Sequence, residues 1–274
     1  MTTLTFGDLR LDGTSIAGEE TWFRVEPPGL AFDVGRGASE LAGIRDLAIS
    51  HGHLDHALGV PYALSQSRRH HLPGRRVLAP RLLVPHLEAL IRATEGMEGV
   101  PYDVELVAMD PGAKVELGRG FLLEAFATEH VVPSLGYHLL ERKRRLLPAL
   151  RGLPTEEIAA RARRGEVVDE EVLDLRLTYC GDTSAGIFAR EPRLFLARVL
   201  LLECTFMTAE HRDKGARFGH LHLEDIARVA ARFENEAIVL HHISRRYRPA
   251  DVRRAVAEHL PGLTSRLHLV LEGG

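Results

Sequence analysis

Residues 51–56 read His51-Gly52-His53-Leu54-Asp55-His56, and they follow Arg45-Asp46-Leu47-Ala48-Ile49-Ser50, a run that reads as a buried strand. Four metal-capable side chains thus fall within six positions where a strand ends, which marks a metal site. In an extended segment alternate side chains point the same way, so His51 and His53 can grip one ion while Asp55 and His56 turn toward a second position. Imidazole and carboxylate ligands suit zinc or a similar first-row ion, and a pair of such ions is a common device for attacking a phosphate ester. A polar surface loop needs neither the three histidines nor the aspartate at this spacing. The missing ligands must come from elsewhere in the chain.

The length of 274 residues fits one large domain or two small ones, and a hydrophobic content of 45% is ordinary for a globular protein with a sizeable core. The start, Met1-Thr2-Thr3-Leu4-Thr5-Phe6-Gly7-Asp8, lacks a basic stretch followed by an apolar one, and no apolar run is long enough to span a bilayer. A cytoplasmic protein without membrane contact is expected. Cys180 and Cys204 are the only cysteines, fewer than a disulfide framework uses, so reduced thiols are expected. A formal net charge of −3 does not favour nucleic acid, since a dedicated binder is usually strongly basic. Any RNA contact must come from local patches: Arg68-Arg69-His70-His71 with Arg75-Arg76, Glu141 to Arg145 with Arg161 to Arg164, and Arg245 to Arg248 with Arg253-Arg254. Taken singly, each patch is better read as a solvated face, but the third directly follows the pair His241-His242.

No repeat, low-complexity tract or long linker interrupts the chain. Strands are expected over 22–25, 30–34, 47–50, 76–78, 104–108, 121–127, 136–140, 175–180, 199–203, 237–241 and 267–271, and helices over 57–68, 82–94, 223–233 and 250–260. Continuously apolar strands such as Val199-Leu200-Leu201-Leu202 imply sheets covered on both faces, hence an α/β protein with two sheets inside and helices outside. Candidate ligands recur at strand ends: Thr128-Glu129-His130, Gly181-Asp182-Thr183 and His241-His242. Together they suggest His51, His53 and His130 for one ion, Asp55, His56 and His242 for the other, and Asp182 between them, because a carboxylate has two oxygens with which to bridge. The second nitrogen of each histidine needs an acceptor that the sequence does not identify.

The His51 to His56 pattern is similar to the signature of the metallo-β-lactamase fold, and the other segments resemble those of ribonuclease Z, the tRNA 3′-endonuclease family. Ala31-Phe32-Asp33-Val34-Gly35-Arg36 resembles an "FDxGR" element of the compact forms. Thr128 to Tyr137 looks like the third histidine motif, and Tyr179-Cys180-Gly181-Asp182-Thr183 like the bridging-aspartate motif. Glu203-Cys204-Thr205 and Gly219-His220-Leu221-His222 resemble the paired "EAT" and "HST" loops, and Leu240 to Tyr247 resembles "LTHFSxRY". The resemblance runs in order from about residue 30 to about residue 250. It implies an αββα four-layer sandwich, taken as one domain over 1–274 with a short arm-like insertion around 141–173. It further implies two zinc ions per chain, with manganese as the alternative, precursor tRNA as substrate and a homodimer.

The expected chemistry is hydroxide attack on a phosphodiester, releasing the 3′ trailer and leaving a 3′-hydroxyl. The resemblance implies that Asp55 orients the water, and His220 paired with Glu203 is expected to supply a proton to the departing oxygen, since a carboxylate neighbour fixes the imidazole tautomer and raises its pKa. Taken singly, Glu203 reads as well as a capping carboxylate, and His220 as a residue leading into a helix. Ser244, Arg246 and Tyr247 match the family pattern and are candidates for substrate contact. The Gly-rich N-terminal loop of bacterial forms and a long Gly/Pro-rich arm are both missing, which weakens the tRNA expectation relative to the phosphodiester one. Two other readings therefore stay open: a phosphodiesterase acting on a small molecule, and a non-catalytic RNA-binding relative.

Overall fold

The structure, a computed structural model, describes residues 1–67 and 73–271. Arg68, Arg69, His70 and His71 of the first basic patch lie outside the described residues.

The chain lays down the same plan twice. In the first half, β1 (Thr2–Phe6), β2 (Leu9–Ile16), β3 (Glu20–Glu26) and β4 (Leu30–Phe32) form an antiparallel meander, to which β5 (Asp46–Ala48), β6 (Arg75–Pro80) and β7 (Val104–Met109) add in parallel. Helices α1 (Leu54–Ala57) and α2 (Val60–Ser67) join β5 to β6, and α3 (Val84–Glu98) joins β6 to β7. In the second half β8 (Lys114–Gly118), β9 (Phe121–Ala127), β10 (Leu135–Leu146) and β11 (Asp169–Tyr179) are antiparallel, and β12 (Val199–Glu203), β13 (Ala237–His241) and β14 (Leu267–Leu269) follow in parallel. Here α4 (Thr155–Arg163) lies between β10 and β11, α5 (Ile187–Arg190) before β12, α6 (Arg212–Phe218) and α7 (Leu223–Arg228) before β13, and α8 (Pro249–His259) before β14. The two sheets run in the orders β1 to β7 and β14 to β8.

Three apolar clusters follow from this layering. The central one packs Leu11, Phe23 and Leu78 of the first sheet against Leu123, Leu177 and Val239 of the second. A second covers the outer face of the first sheet with α2 and α3, and a third covers the outer face of the second sheet with α7 and α8. The expected αββα sandwich is therefore the observed fold. Every position of β12 is buried, as a parallel strand with helices on one face and a sheet on the other requires.

The departures from expectation are local. Strands β1, β2 and β8 were not anticipated, because each mixes polar and apolar residues at an edge or in a meander. Yet Phe6 pairs with Leu9 across the two-residue turn Gly7-Asp8, with Gly7 at φ +64°, which is a hairpin signal the sequence carries. The stretch 82–94 begins and ends later as α3, because Pro85 suits a first helical turn and Gly99 terminates the helix at φ +69°. The stretch expected over 57–68 is two helices as far as Ser67, α1 starting three residues earlier. Gly59 sits between them against the 34–37 turn, where a Cβ would lie 2.0 Å from the Gly37 nitrogen. The stretch 223–233 is α7 followed by a 3₁₀ turn over Ala230–Arg232.

The 141–173 insertion is an extension of β10 and β11 themselves. Register pairs continue from Glu141↔Asp174 to Leu146↔Asp169, with α4 beyond the ribbon. Most of its cations are paired: Arg142 with Glu116 and Glu171, Lys143 with Asp174 and Glu141, Arg144 with Asp169, Arg161 with Glu157, and Arg164 with Glu166. This second basic patch is largely a neutralised, solvated face.

Candidate metal centre

The site forms where the C-terminal ends of parallel strands from both sheets meet. From the first sheet come Asp33 just after β4 and residues 50–56 just after β5. From the second come His130 beyond β9, Asp182 beyond β11, Glu203 at the end of β12 and His242 just past β13. His53 is the N-cap of α1, and its carbonyl accepts from the backbone N–H groups of His56 and Ala57. That tight turn swings Asp55 and His56 back over His51.

The buried hydrogen bonds decide which nitrogen of each histidine is free. The Asp33 carboxylate, fully buried, only accepts. It takes the Ser50 N–H and Ser50 hydroxyl, each at 2.7 Å, the His56 Nδ1–H at 2.7 Å, and the Tyr179 hydroxyl. The Ser50 hydrogen is thereby committed, so at 2.9 Å Ser50 Oγ accepts from His51 Nδ1. His130 Nδ1 donates to the Gly219 carbonyl at 2.9 Å. Thr205 Oγ1 donates to Glu203 at 2.8 Å and accepts from His242 Nδ1 at 3.0 Å. In each case the proton sits on Nδ1, leaving the Nε2 lone pair for a ligand's work.

Those lone pairs converge. His56 Nε2 and His242 Nε2 face each other at 3.3 Å, and His130 Nε2 faces His53 Nδ1 at 3.2 Å. His51 Nε2 and Asp182 Oδ1 are buried with no hydrogen-bond partner among the described residues. Two imidazole lone pairs aimed at one another, and orphaned buried acceptors beside them, are stable arrangements only with a cation between them. The donor atoms of His51, His53, His130 and Asp182 lie within 4.8 Å of one another, as do those of Asp55, His56 and His242. Asp182 Oδ2 reaches His51 at 3.6 Å and both His56 and His242 at 3.4 Å. It stands between the two sets. The residues present fit a pair of cations.

The electrostatics point the same way. Burial opposes charge on His56, yet Asp182 and Asp33 hold it well above the ordinary histidine value, so the surroundings demand positive charge at this point. Burial, and then His56, push His51 well below its usual value, keeping it neutral as a ligand must be. Asp55 is lowered to about 2: burial works against ionisation, but the neighbouring His242, 3.3 Å away, and His56 outweigh it. The Gly18 N–H, 2.9 Å from Asp55 Oδ2, holds that carboxylate in place. Asp33 and His242 both carry positive φ, +54° and +56°, a conformation rare for residues with a Cβ.

Glu203 and His220 meet across 2.8 Å. The Glu203 carboxylate is fully buried and also accepts from Thr183 N at 3.0 Å, Thr205 N at 3.1 Å and Thr205 Oγ1. Burial disfavours the His220 imidazolium, but Glu203 overcomes this and lifts His220 to about 9. His220 Nδ1 also lies 3.9 Å from Asp182, so the pair borders the ligand cluster.

An open cleft of about 650 Å³ leads to these side chains, and His53, Asp55, Asp182, His220 and His242 all reach it. Ser244 and Arg246 are on its wall; Arg246 Nε donates to Ser244 Oγ at 2.8 Å, and its guanidinium lies 5.5 Å from the Phe206 ring centre. Tyr247, expected beside them, does not line the cleft. Its hydroxyl accepts from Met207 N at 3.2 Å and meets His211 Nδ1 at 2.7 Å, so it braces the 206–211 loop instead. Cys180 and Cys204 are free and buried, with no disulfide between them. His241 bonds Ser15 Oγ at 3.3 Å and packs on Tyr179, away from the ligand cluster. Sequence reasoning missed the service of Asp33, Ser50 and Thr205, and missed Lys214 and Phe218 on the cleft wall. No local pattern announces the last two; Asp33 was visible only as part of a motif.

Fold and site together define a metallohydrolase of the β-lactamase superfamily. A family profile described as "Beta-lactamase superfamily domain" matches residues 34–243. Ribonuclease Z of Kineococcus radiotolerans is 30% identical over 291 aligned positions, which span 95% of this chain and 85% of that protein. tRNase Z TRZ1 of Arabidopsis thaliana is 28% identical over 266 positions, spanning 96% of this chain and 95% of its own. Within the superfamily, the chain belongs to the ribonuclease Z family. Among solved structures, the metallo-β-lactamase fold protein YhfI of Bacillus subtilis superposes with a TM-score of 0.65 at 12% identity, over 97% of this chain and 98% of that one. Human tRNase Z, short form, superposes with a TM-score of 0.60 at 17% identity over 95% of both. At these identities the structures speak to the fold alone.

Proposed function

We propose that the protein is a metal-dependent endoribonuclease that removes the 3′ trailer of precursor tRNA, leaving a 3′-hydroxyl. The observation that carries this reading is the Glu203–His220 pair, 2.8 Å apart on the rim of the ligand cluster, in a chain whose relatives are ribonuclease Z and tRNase Z. Two zinc ions, held by His51, His53 and His130 on one side and Asp55, His56 and His242 on the other with Asp182 between, would supply the Lewis acidity that activates water and offsets charge at phosphorus. Manganese is the alternative, and metal analysis of the purified protein decides between them.

The chain's own groups do the rest. Asp55, held by the Gly18 N–H, accepts a hydrogen bond from the attacking water and fixes its direction. His220, kept protonated by Glu203, stands ready to give a proton to the departing ribose oxygen. Arg246 and Ser244 offer donors to the phosphate on the cleft wall. Tyr247 holds the adjoining loop rather than substrate.

Incubation with a 3′-extended tRNA precursor and, separately, with bis(p-nitrophenyl) phosphate tests the reading. Endonucleolytic cleavage of the precursor is expected. Turnover of the small diester alone would convert the protein into a small-molecule phosphodiesterase, and bound metal with no turnover of either would mark a non-catalytic relative. His220→Ala is expected to keep its metals and lose roughly 100- to 10,000-fold in RNA cleavage, the usual worth of a positioned proton donor. It should lose far less on the small diester, whose nitrophenolate departs without a proton. Loss of metal from that variant would overturn the assignment.

Three further parts belong to the same reading. The chain works as one domain, with the 141–173 ribbon as an appendage. It works as a homodimer: Leu54, Leu58 and Tyr62 form an exposed apolar stripe along α1 and α2, with Met97 of α3 close by at 84% exposure. Light scattering should report a dimer, and Leu58→Asp with Tyr62→Asp a monomer. A cytoplasmic setting is supported by the two buried free thiols; among the described residues no helix is long and apolar enough to cross a membrane.

A further inference from the structure

The ribonuclease reading leaves α6 unexplained. This helix sits on the cleft wall directly before the His220 loop, and two of its side chains, Lys214 and Phe218, line the cleft together. They stand four residues apart, one turn of helix, so they share a face. Phe218 is 46% exposed, whereas Phe206, the other aromatic of the cleft, is only 4% exposed and is covered by its neighbours. Lys214 makes no hydrogen bond or ion pair among the described residues, in contrast to the paired cations of the ribbon. An isolated exposed aromatic is unremarkable on a surface. An accessible ring and an unpaired ammonium on one helical face, both turned to a cleft that ends in a phosphodiester-cleaving centre, form a combination suited to a nucleotide.

We propose that α6 is the lip that holds the nucleotide on the 5′ side of the cut, with Phe218 stacking its base and Lys214 meeting the phosphate on that nucleotide's 5′ side. The polarity follows from the proposed chemistry, and the inference rests on that reading. The oxygen that leaves is the 3′-oxygen of the upstream nucleotide, and His220 must reach it. Phe218 is two residues before His220. Between them lies Gly219, at φ +71°, whose carbonyl accepts the His130 Nδ1–H. A Cβ there would sit 3.0 Å from His130 Nδ1, so the segment is a short, closely packed strap. It couples a base platform at one end to a metal ligand and the proton donor at the other. Stacking uses the π-face that every base possesses, so this lip tolerates any base at the position.

The test pairs enzyme and substrate changes in kcat/KM measurements on a 3′-extended tRNA precursor. Removing the base of the nucleotide 5′ to the cut, by an abasic substitution, is expected to slow the wild-type enzyme by roughly 10- to 100-fold. Phe218→Ala should lose a similar factor on the intact precursor, and almost nothing more on the abasic one. Phe218→Trp should cleave at close to the wild-type rate. Lys214→Gln should weaken binding and flatten the salt dependence, by about 0.7 in the slope of log K against log salt. Metal analysis of each variant accompanies the kinetics. Losses that multiply when Phe218→Ala meets the abasic substrate would mean that ring and base do not touch, and would overturn the proposal. So would an abasic precursor cleaved normally by the wild type, an outcome that requires no variant to fold. Wild-type protein that holds metal but leaves the precursor intact defeats the nuclease reading itself; wild-type cleavage with an unaffected Phe218→Ala variant defeats only the assignment of α6.

Discussion

At the scale of residues, the site is organised by groups that touch no metal and no substrate. Asp33 accepts four hydrogen bonds and through them fixes His56 directly and His51 by way of Ser50. Asp33→Ala would leave the His56 and Tyr179 donors buried without an acceptor, each worth about 1–3 kcal/mol, and would free both imidazoles to turn. Metal affinity is expected to fall by roughly 10- to 100-fold, the usual effect of losing such a partner, and competition against a chelator measures it. Glu203 has a different task. It lifts His220 to about 9 against the effect of burial, and a general acid works only below its pKa. Glu203→Gln removes the anion, the imidazole pKa falls, and the alkaline limb of the kcat/KM profile should move to lower pH; an unmoved limb would separate Glu203 from the proton transfer. The sequence made the candidate ligands legible, because His51, His53, Asp55 and His56 are close in sequence and their spacing is set by strand and turn. It could not show Asp33 serving His56, since that contact spans 23 residues and depends on β4 and β5 lying side by side.

At the scale of elements, turns place the chemistry. The His53 N-cap folds Asp55 and His56 onto His51, and the Gly219 turn sets His130 on one side and His220 on the other. Gly219→Ala would force a side chain into the left-handed region, at about 1–2 kcal/mol, and push on His130. A melting temperature lower by several degrees and weaker metal retention are the expected results. The ribbon built from the outer ends of β10 and β11 is the opposite case. Most of its charges are paired and it stands clear of the ligand cluster, so replacing residues 144–169 with a short turn should leave metal content and small-diester hydrolysis unchanged. A loss of metal would show that the ribbon supports the core. Strands such as β9, β12 and β13 were legible to the residue because their apolar runs are buried on both faces. The edge strands β1 and β8 were not, because partial exposure lets polar residues break up the pattern, and neither was β2, where buried polar residues such as Asp12 and Ser15 interrupt the apolar run.

At the scale of the molecule, the centre is a seam between two similar halves. Each half contributes the C-terminal ends of its parallel strands, and cations at the seam would tie the sheets together. Metal binding is therefore expected to stabilise the fold by about 2.7 kcal/mol at a free concentration 100 times the dissociation constant. Chelation should lower the melting temperature by several degrees, and re-addition of zinc should restore it; an unchanged melt would place the metals outside the structural linkage. The sequence by itself determined the kind of protein: residue types at strand ends name the chemistry, and continuously apolar strands name a sandwich, since both follow from local spacing and from burial period. Tertiary structure alone decided which nitrogen each histidine offers, that Tyr247 braces a loop while Arg246 faces the cleft, and that α6 brings Lys214 and Phe218 to the entrance. Those facts rest on contacts between segments distant in the chain, formed when the two sheets close on one core, and nothing in the order of residues records the distances.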